Sequence, residues 1–244
     1  MISSPIILAN PGSLSVQDIE KSLTLESRTE QDRARDPQRK PEQVLALMGL
    51  KPGMTVLDIN AGEGYYSEIL SPLVGKSGKV IRHNDPTYTS FMNEESFQAR
   101  YGDGRLSNIE HYHSKQDALD LEQNSVDAAI MALSFHDYFF KHESRGKKIS
   151  DPAAVAASIH HALKPGATLI VIDHVGQPDG SLDDWHKMHR IAPSLAEYVF
   201  ISAGFKLVKE ADILVNKDDP LTVSPFDPSI RGSTNRFVHV YIKD

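Results

Sequence analysis

Residues 55–64 read Thr-Val-Leu-Asp-Ile-Asn-Ala-Gly-Glu-Gly. A short run rich in β-branched and apolar residues carries an acid near its end and passes into a loop of small residues. A helical pattern through Tyr65, Ile69 and Leu70 follows, then a second apolar run, Lys79-Val80-Ile81, after Gly75 and Gly78. Strand, glycine loop, helix and strand in that order form a βαβ unit, which commits the chain to a parallel sheet with helices on its faces. Small residues at 61, 62 and 64 let a ligand approach the backbone closely. In an open parallel sheet, ligands bind beyond the carboxyl ends of the strands, beside the point where strand order reverses.

The rest of the chain repeats the alternation. Apolar runs at 109–113, 126–133 and 167–172 predict three more strands, and 152–163 predicts a helix stopped by Lys164-Pro165-Gly166. These runs are continuous rather than alternating, as in strands buried on both faces. After a helix over 195–203, the runs at 205–208 and 236–242 predict an antiparallel pair at the sheet edge, joined by a connection rich in Pro and Asp. The expected fold class is therefore α/β: a Rossmann-like, mostly parallel seven-stranded sheet with an antiparallel C-terminal edge strand. Residues 14–50 read as helical. We divide the chain into an N-terminal helical extension or lid, 1–40, and a main domain, 41–244. The mixed charges from Arg28 to Asp36 suit a solvated helix face, an arm covering a ligand being the alternative.

Composition narrows the chemistry. The 244 residues include no cysteine, which excludes disulfides, thiolate metal sites and a cysteine nucleophile. The net charge of −7 argues against non-specific nucleic-acid binding, and the short basic run Arg145, Lys147 and Lys148 reads as a solvated loop. The apolar stretch Ile6–Ala9 is too short for an export signal. No segment reaches the roughly 20 apolar residues of a membrane span. The expectation is a cytoplasmic protein, or a periplasmic one with its signal removed. Oligomeric state is not legible.

The loop itself discriminates among ligands. A dinucleotide fingerprint requires a third glycine where this chain has Ser67, and a phosphate-binding P-loop requires a Gly-Lys-Ser/Thr that does not follow. A nicotinamide-dependent oxidoreductase is thus a weaker alternative, and no hydride-transfer pair is evident.

The run 55–64 resembles motif I of the class I S-adenosylmethionine-dependent methyltransferases. The lead-in Leu50-Lys-Pro-Gly-Met54 resembles the same family, as do Ser125-Val-Asp127, Ala162-Leu-Lys-Pro-Gly166 and Ser202-Ala-Gly-Phe205, all in the family's order. The tail 226–237 and Met188-His189-Arg190 resemble a bacterial group of predicted methyltransferases. The resemblance implies S-adenosylmethionine as cofactor, with Asp58, Asn60, Ala61, Gly62 and Gly64 beside its amino-acid end. It places Asn84 at the ribose hydroxyls, Gln116 and Asp117 by the adenine, and Leu133 near the methyl group. Two positions depart from the family: Asn60 stands where a glycine is usual, and Asn84 where an acid is usual, with Asp85 next to it. A non-catalytic member that keeps the fold as a binding module is the alternative these departures support.

Methyl transfer is an in-line displacement by the acceptor on an already activated methyl, mainly a matter of positioning, with a base needed only where the acceptor loses a proton. His136 after the fourth strand is the first candidate base or orienting group, followed by Asp137 and Arg190. Asp173, His174, His186 and His189 lie nearby in the motif order. Members that methylate catechols hold magnesium with an Asp-Asn pair where this chain has Asp173-His174, and no metal is assigned. The expected acceptor is a small molecule.

Overall fold

The structure is a computed structural model and describes residues 12–86, 93–115, 117–140 and 150–244. Ile6–Ala9, Arg145, Lys147, Lys148 and Gln116 lie outside these residues.

Four short helices come first: α1 (Val16–Leu23), α2 (Glu30–Arg33), α3 (Asp36–Arg39) and α4 (Pro41–Ala46). They break where local chemistry requires. Ser15 and Asp18 form a reciprocal cap at the start of α1. Lys40 adopts a left-handed conformation before Pro41, which separates α3 from α4. Then follow β1 (Thr55–Ile59), α5 (Tyr65–Val74), β2 (Lys79–Asn84), α6 (Glu94–Tyr101), β3 (Ile109–His113), β4 (Val126–Ala132), α7 (Pro152–Ala162) and β5 (Leu163–His174). The chain closes with α8 (Leu182–Met188), α9 (Pro193–Ser202), β6 (Phe205–Glu210) and β7 (Arg236–Lys243).

The seven strands form one sheet in the order β3-β2-β1-β4-β5-β7-β6. Pairing is parallel from β3 through β5, and β7 is antiparallel to both β5 and β6. The sequence places the reversed C-terminal strand at the edge. The structure instead inserts β7 between β5 and β6, and β6 is the edge. Burial explains the order: seven of the eight β7 residues are buried, whereas β6 alternates with Lys206, Lys209 and Glu210 exposed. A strand that apolar belongs inside a sheet, and a lysine-bearing strand suits an edge.

Both faces are covered. Leu57 and Ile59 of β1, Ala129 and Met131 of β4, and Leu169 and Val171 of β5 pack with Val155 and Ile159 of α7 and Phe200 of α9. Their neighbours Val56, Ala128, Ile130, Ile170 and Ile172 face the opposite layer, where Ile19 of α1, Val44 and Leu45 of α4, and Ile69 and Leu70 of α5 complete a second core. Alternate side chains thus enter different cores, so the strands read as unbroken apolar runs.

Several motif residues prove to be ties at the amino ends of strands. Asp127 accepts the Thr55 N–H at 2.8 Å and pairs with Lys164, joining the starts of β1, β4 and β5. Strand order reverses between β1 and β4, so the carboxyl ends of those strands define the crevice.

Candidate functional site

A hollow of about 340 Å³ lies at that crevice, lined by Asp58, Asn60, Ala61, Gly62 and Glu63 after β1, Ala132 and Leu133 after β4, and Arg35 and Arg39 from the N-terminal helices. A larger hollow, about 810 Å³, is bounded by the amino ends of β2 and β3 with Ser71, Gly75 and Lys79. The smaller one has the position that the parallel-sheet rule requires of a ligand site.

The loop between β1 and α5 is held from beneath. Asp58 is buried and its carboxylate accepts the Ser67 hydroxyl at 2.6 Å. Burial pushes its pKa up to about 6 against the opposing Ser67 hydrogen bond and the Arg82 charge. Ser67, the residue that breaks the dinucleotide fingerprint, therefore locks the acid that begins the loop. Asn60 occupies the left-handed region at φ 49°, where asparagine is tolerated better than most residues. Its side chain donates to the Tyr138 hydroxyl at 2.9 Å and accepts the Asp85 N–H at 3.1 Å. The Ala61 N–H donates to the His83 carbonyl at 3.0 Å.

Asn84 is fully buried, and its amide clasps one peptide group in both directions. Its Oδ1 accepts the Gly62 N–H at 2.8 Å, and its Nδ2 donates to the Gly62 carbonyl at 3.0 Å. Arg82 also donates to that carbonyl. The residue expected at the ribose thus braces the loop. The Glu63 carbonyl receives Arg100 at 3.2 Å and the Tyr101 hydroxyl at 2.9 Å from α6. Gly64 sits at φ 94°, and a Cβ there would collide with the Tyr101 hydroxyl and crowd Arg82. Gly62 differs: a Cβ there meets nothing within 4 Å, so the open side of the loop is at Gly62. Asp117 is half-buried after β3 and lines neither this hollow nor its neighbour.

Beyond Leu133 a second hollow of about 280 Å³ adjoins the first, and the two share Arg35, Arg39 and Leu133. His174, at the end of β5, is in its wall. Its Nδ1 lies 2.7 Å from the Thr234 hydroxyl, and burial, reinforced by His136 and nearby arginines, holds its pKa well below the ordinary histidine value.

His136 is buried in a single 3₁₀ turn, Phe135–Phe139, after β4. Asp173, wholly buried, accepts both the His136 N–H and a hydrogen bond at its Nδ1, each at 2.8 Å. That pairing fixes the ring and turns Nε2 toward Asp137, whose Oδ1 lies 3.6 Å away. The ligand atoms of His136, Asp137 and His189 lie within 4.8 Å of one another, a set capable of holding a divalent cation. It differs from the Asp137, Asp173 and His174 grouping that sequence order suggests, because Asp173 is committed to His136. His189 joins the set through a left-handed backbone, φ 50°, at the end of α8.

Arg190 is fully buried and forms a two-point pair with Asp219 at 2.9 and 3.0 Å. It also donates to the Val175 carbonyl at 2.9 Å and the Val223 carbonyl at 3.1 Å. It lines neither hollow, so its geometry is that of a clamp between α8 and the tail.

Arg35 and Arg39 of the N-terminal segment line both hollows, and the solvated face expected for the run from Arg28 to Asp36 is not what the structure has. Arg28 and Asp32 are buried rather than solvated. Arg28 pairs with Asp36 at 2.6 Å, Asp36 accepts the Tyr65 hydroxyl at 2.6 Å, and Asp32 pairs with Arg100. These ties press residues 28–39 onto α5 and α6. The mixed-sign run could have signalled this, since partners spaced for an ion-pair network also occur in buried arms.

Comparisons with known proteins agree with this architecture. The family profile of protein-L-isoaspartate(D-aspartate) O-methyltransferase matches residues 40–87. The ubiquinone/menaquinone biosynthesis C-methyltransferase UbiE of Cronobacter sakazakii is 26% identical over 159 residues, 64% of this chain and 57% of that protein. The chain thus spans little more than half the length of that relative. A crystal structure of an S-adenosylmethionine-dependent methyltransferase from Aquifex aeolicus superimposes with a TM-score of 0.58 at 24% identity, covering 95% of this chain and all of that one. The [4+2]-cyclase SpnF superimposes with a TM-score of 0.61 at 15% identity, covering 93% of this chain and 92% of that one. Sheet order, the loop after β1 and these likenesses give the chain the fold of the class I methyltransferases. Among the described residues no helix is long and apolar enough to cross a membrane.

Proposed function

We propose that the chain binds S-adenosylmethionine at the hollow before Gly62 and transfers its methyl group to a small-molecule acceptor held beyond Leu133. The observation that carries this reading is the pair of adjoining hollows at the crevice, one against the glycine loop and one past the end of β4. The fit is good at the loop, where Gly62 is open and the backbone is braced from behind by Asn84, Arg82 and Tyr101. It is poorer at the ribose, because Asn84 is engaged and Asp85 is the next acid.

When bound, the cofactor supplies a methyl group already activated by its sulfonium. The protein's part is to bind, align and exclude water. Loop residues 60–64 fix the amino-acid end, and Leu133 marks the junction where donor and acceptor meet. The likeness to a named C-methyltransferase supports carbon as the acceptor atom. Methylation of an sp² carbon leaves a proton to be lost, which calls for a base. His136, oriented by Asp173, lines neither hollow, so for an acceptor in the second hollow the histidine within reach of that proton is His174. His174 in the wall of the second hollow aligns the acceptor.

A second reading follows from Asn84: with its amide spent on Gly62, the chain is a non-catalytic member of the fold. SpnF, named a cyclase, illustrates that the fold alone does not fix the reaction. Calorimetric titration with S-adenosylmethionine and S-adenosylhomocysteine decides between them. Micromolar binding, about −8 kcal/mol, lost in Gly62→Arg, is expected. No binding of either ligand to folded protein would leave the non-catalytic reading.

A further inference from the structure

The second hollow is lined by four guanidinium groups, Arg35, Arg39, Arg231 and Arg236, in a chain whose net charge is −7. Arg35 has a carboxylate partner in Asp32. The other three have no carboxylate within ion-pair distance among the described residues. Arg39 lies over the Tyr65 ring, 4.4 Å from its centroid. Arg231 is exposed at the rim.

Arg236 is the informative one. It begins β7 beside His174, with which it is paired in register, and it is only 6% exposed. Its hydrogen bonds go to the carbonyls of Thr234, Gln38 and Gly232, at 3.3, 2.7 and 3.2 Å. Carbonyls satisfy donors but do not neutralise charge, and a buried cation without an anion is expensive. Nη1 has no partner among the described residues. Burial accordingly depresses the Arg236 pKa, although an arginine stays charged in proteins.

No carboxylate lines this hollow, Asp58 and Glu63 lining the adjoining one. Asp58 is turned to Ser67, and burial holds the His174 pKa well below the ordinary histidine value. Leu133, Pro225 and the exposed ring of Phe226 also line the hollow. Its lining thus combines forked donors, which match carboxylate or phosphate oxygens, with apolar surface for an organic skeleton.

We propose that this hollow is a subsite for an anionic acceptor, one whose carboxylate or phosphate is held by Arg236 and Arg231 while its organic part lies against Leu133 and Phe226. The assignment to the acceptor rests on the methyl-transfer reading above. The other possible source of the anion is the cofactor's own carboxylate. The two are separable because Arg231 and Arg236 line only the second hollow, whereas Arg35 and Arg39 line both.

The test is calorimetry on the full chain with benzoate and inorganic phosphate as probes, alone and with saturating S-adenosylhomocysteine. S-adenosylhomocysteine affinity is measured on every variant. One probe is expected to bind alongside S-adenosylhomocysteine, about tenfold more weakly in Arg231→Ala and in Arg236→Lys, with S-adenosylhomocysteine affinity changed less than twofold. Arg231 is exposed, so that variant remains informative even if the buried Arg236 variant fails to fold. The proposal is overturned if neither probe binds. It is equally overturned if S-adenosylhomocysteine displaces the probe and the arginine variants weaken both together, for the arginines then serve the cofactor. Probe binding that depends on Arg231 in a chain that binds no S-adenosylhomocysteine would uphold the anion site and remove the methyl-transfer reading.

Discussion

The side-chain amide of Asn60 donates to the Tyr138 hydroxyl at 2.9 Å, tying the loop after β1 to the turn after β4. Its carbonyl oxygen accepts the Asp85 N–H from the end of β2. One side chain thus joins the loops that follow three neighbouring strands at the mouth of the hollow. The departure from the family's glycine is a gain of ties.

The expected consequence runs against the family pattern. Asn60→Gly relieves the positive φ but removes the hydrogen bonds to the Asp85 N–H and the Tyr138 hydroxyl. The loss is about 1–2 kcal/mol of stability, since each buried hydrogen bond is worth roughly 1 kcal/mol. S-adenosylhomocysteine affinity should fall about tenfold, the equivalent of about 1.4 kcal/mol. Urea denaturation and calorimetry on the same sample read both, and tighter binding by Asn60→Gly would show that the knot does not serve the ligand.

Gly64 tests the brace beneath the loop. A methyl group there meets the Tyr101 hydroxyl, and the backbone is at φ 94°. Gly64→Ala is therefore expected to cost more than about 1 kcal/mol, the usual effect of alanine at positive φ being compounded by the collision. Tyr101→Phe removes the hydroxyl, and the double variant should be more stable than Gly64→Ala alone. If Tyr101→Phe makes no difference in the Gly64→Ala background, the strain lies in the backbone only.

Acid stability should be governed by buried histidines. His83 is fully buried, its Nδ1 accepting the Asn60 N–H at 3.4 Å and its Nε2 donating to the Ser114 carbonyl at 3.1 Å. Burial lowers its pKa from 6.5 to about 4. The folded state therefore binds fewer protons than the unfolded state between those values. Its stabilising contribution is complete above about pH 6.5 and is lost as pH falls toward 4, by up to about 3 kcal/mol. His239, also lowered to about 4, and His174 act in the same direction. Asp58, raised to about 6, opposes them, gaining stability as pH falls from 6 toward 3.8. Denaturant midpoints between pH 7 and 4 should fall in the parent chain and fall less steeply in His83→Gln. An equal slope in both would assign the acid limb elsewhere.

Much of the fold is legible in the sequence because strands buried on both faces leave unbroken apolar runs, and glycine loops leave small residues after an acid. The position of β7 is not, since pairing order depends on which strand can tolerate exposure, and that emerges only when Lys206, Lys209 and Glu210 are set against the buried run 236–241. At the crevice, Asp58, Gly62 and Leu133 line the hollow, while Gly64 turns toward Tyr101 and Arg82. Asn84 does not line it, because its amide is hydrogen-bonded to both groups of the Gly62 peptide. The arginine wall was illegible for a different reason: Arg35, Arg39, Arg231 and Arg236 come from the two ends of the chain, and no local pattern links them.

Arg190 follows a histidine in a family-like motif and reads as chemical, yet its donors are consumed by Asp219 and two carbonyls. Both partners of the ion pair have wholly buried side chains. Removing one leaves the other charged and desolvated, so Asp219→Ala is expected to cost about 3–5 kcal/mol, whereas replacing both with apolar residues of similar volume is far less damaging. The pair also anchors the tail, because Asp219 accepts the N–H groups of Leu221 and Asn235. Those bonds predict that Asp219→Asn, which keeps an acceptor but loses the charge, falls between the parent and Asp219→Ala. Urea denaturation of the three variants checks the order. A clamp also predicts that Arg190→Met paired with Asp219→Leu retains S-adenosylhomocysteine affinity within about twofold, roughly 0.4 kcal/mol. Loss of that affinity in a folded double variant would return Arg190 to the binding site.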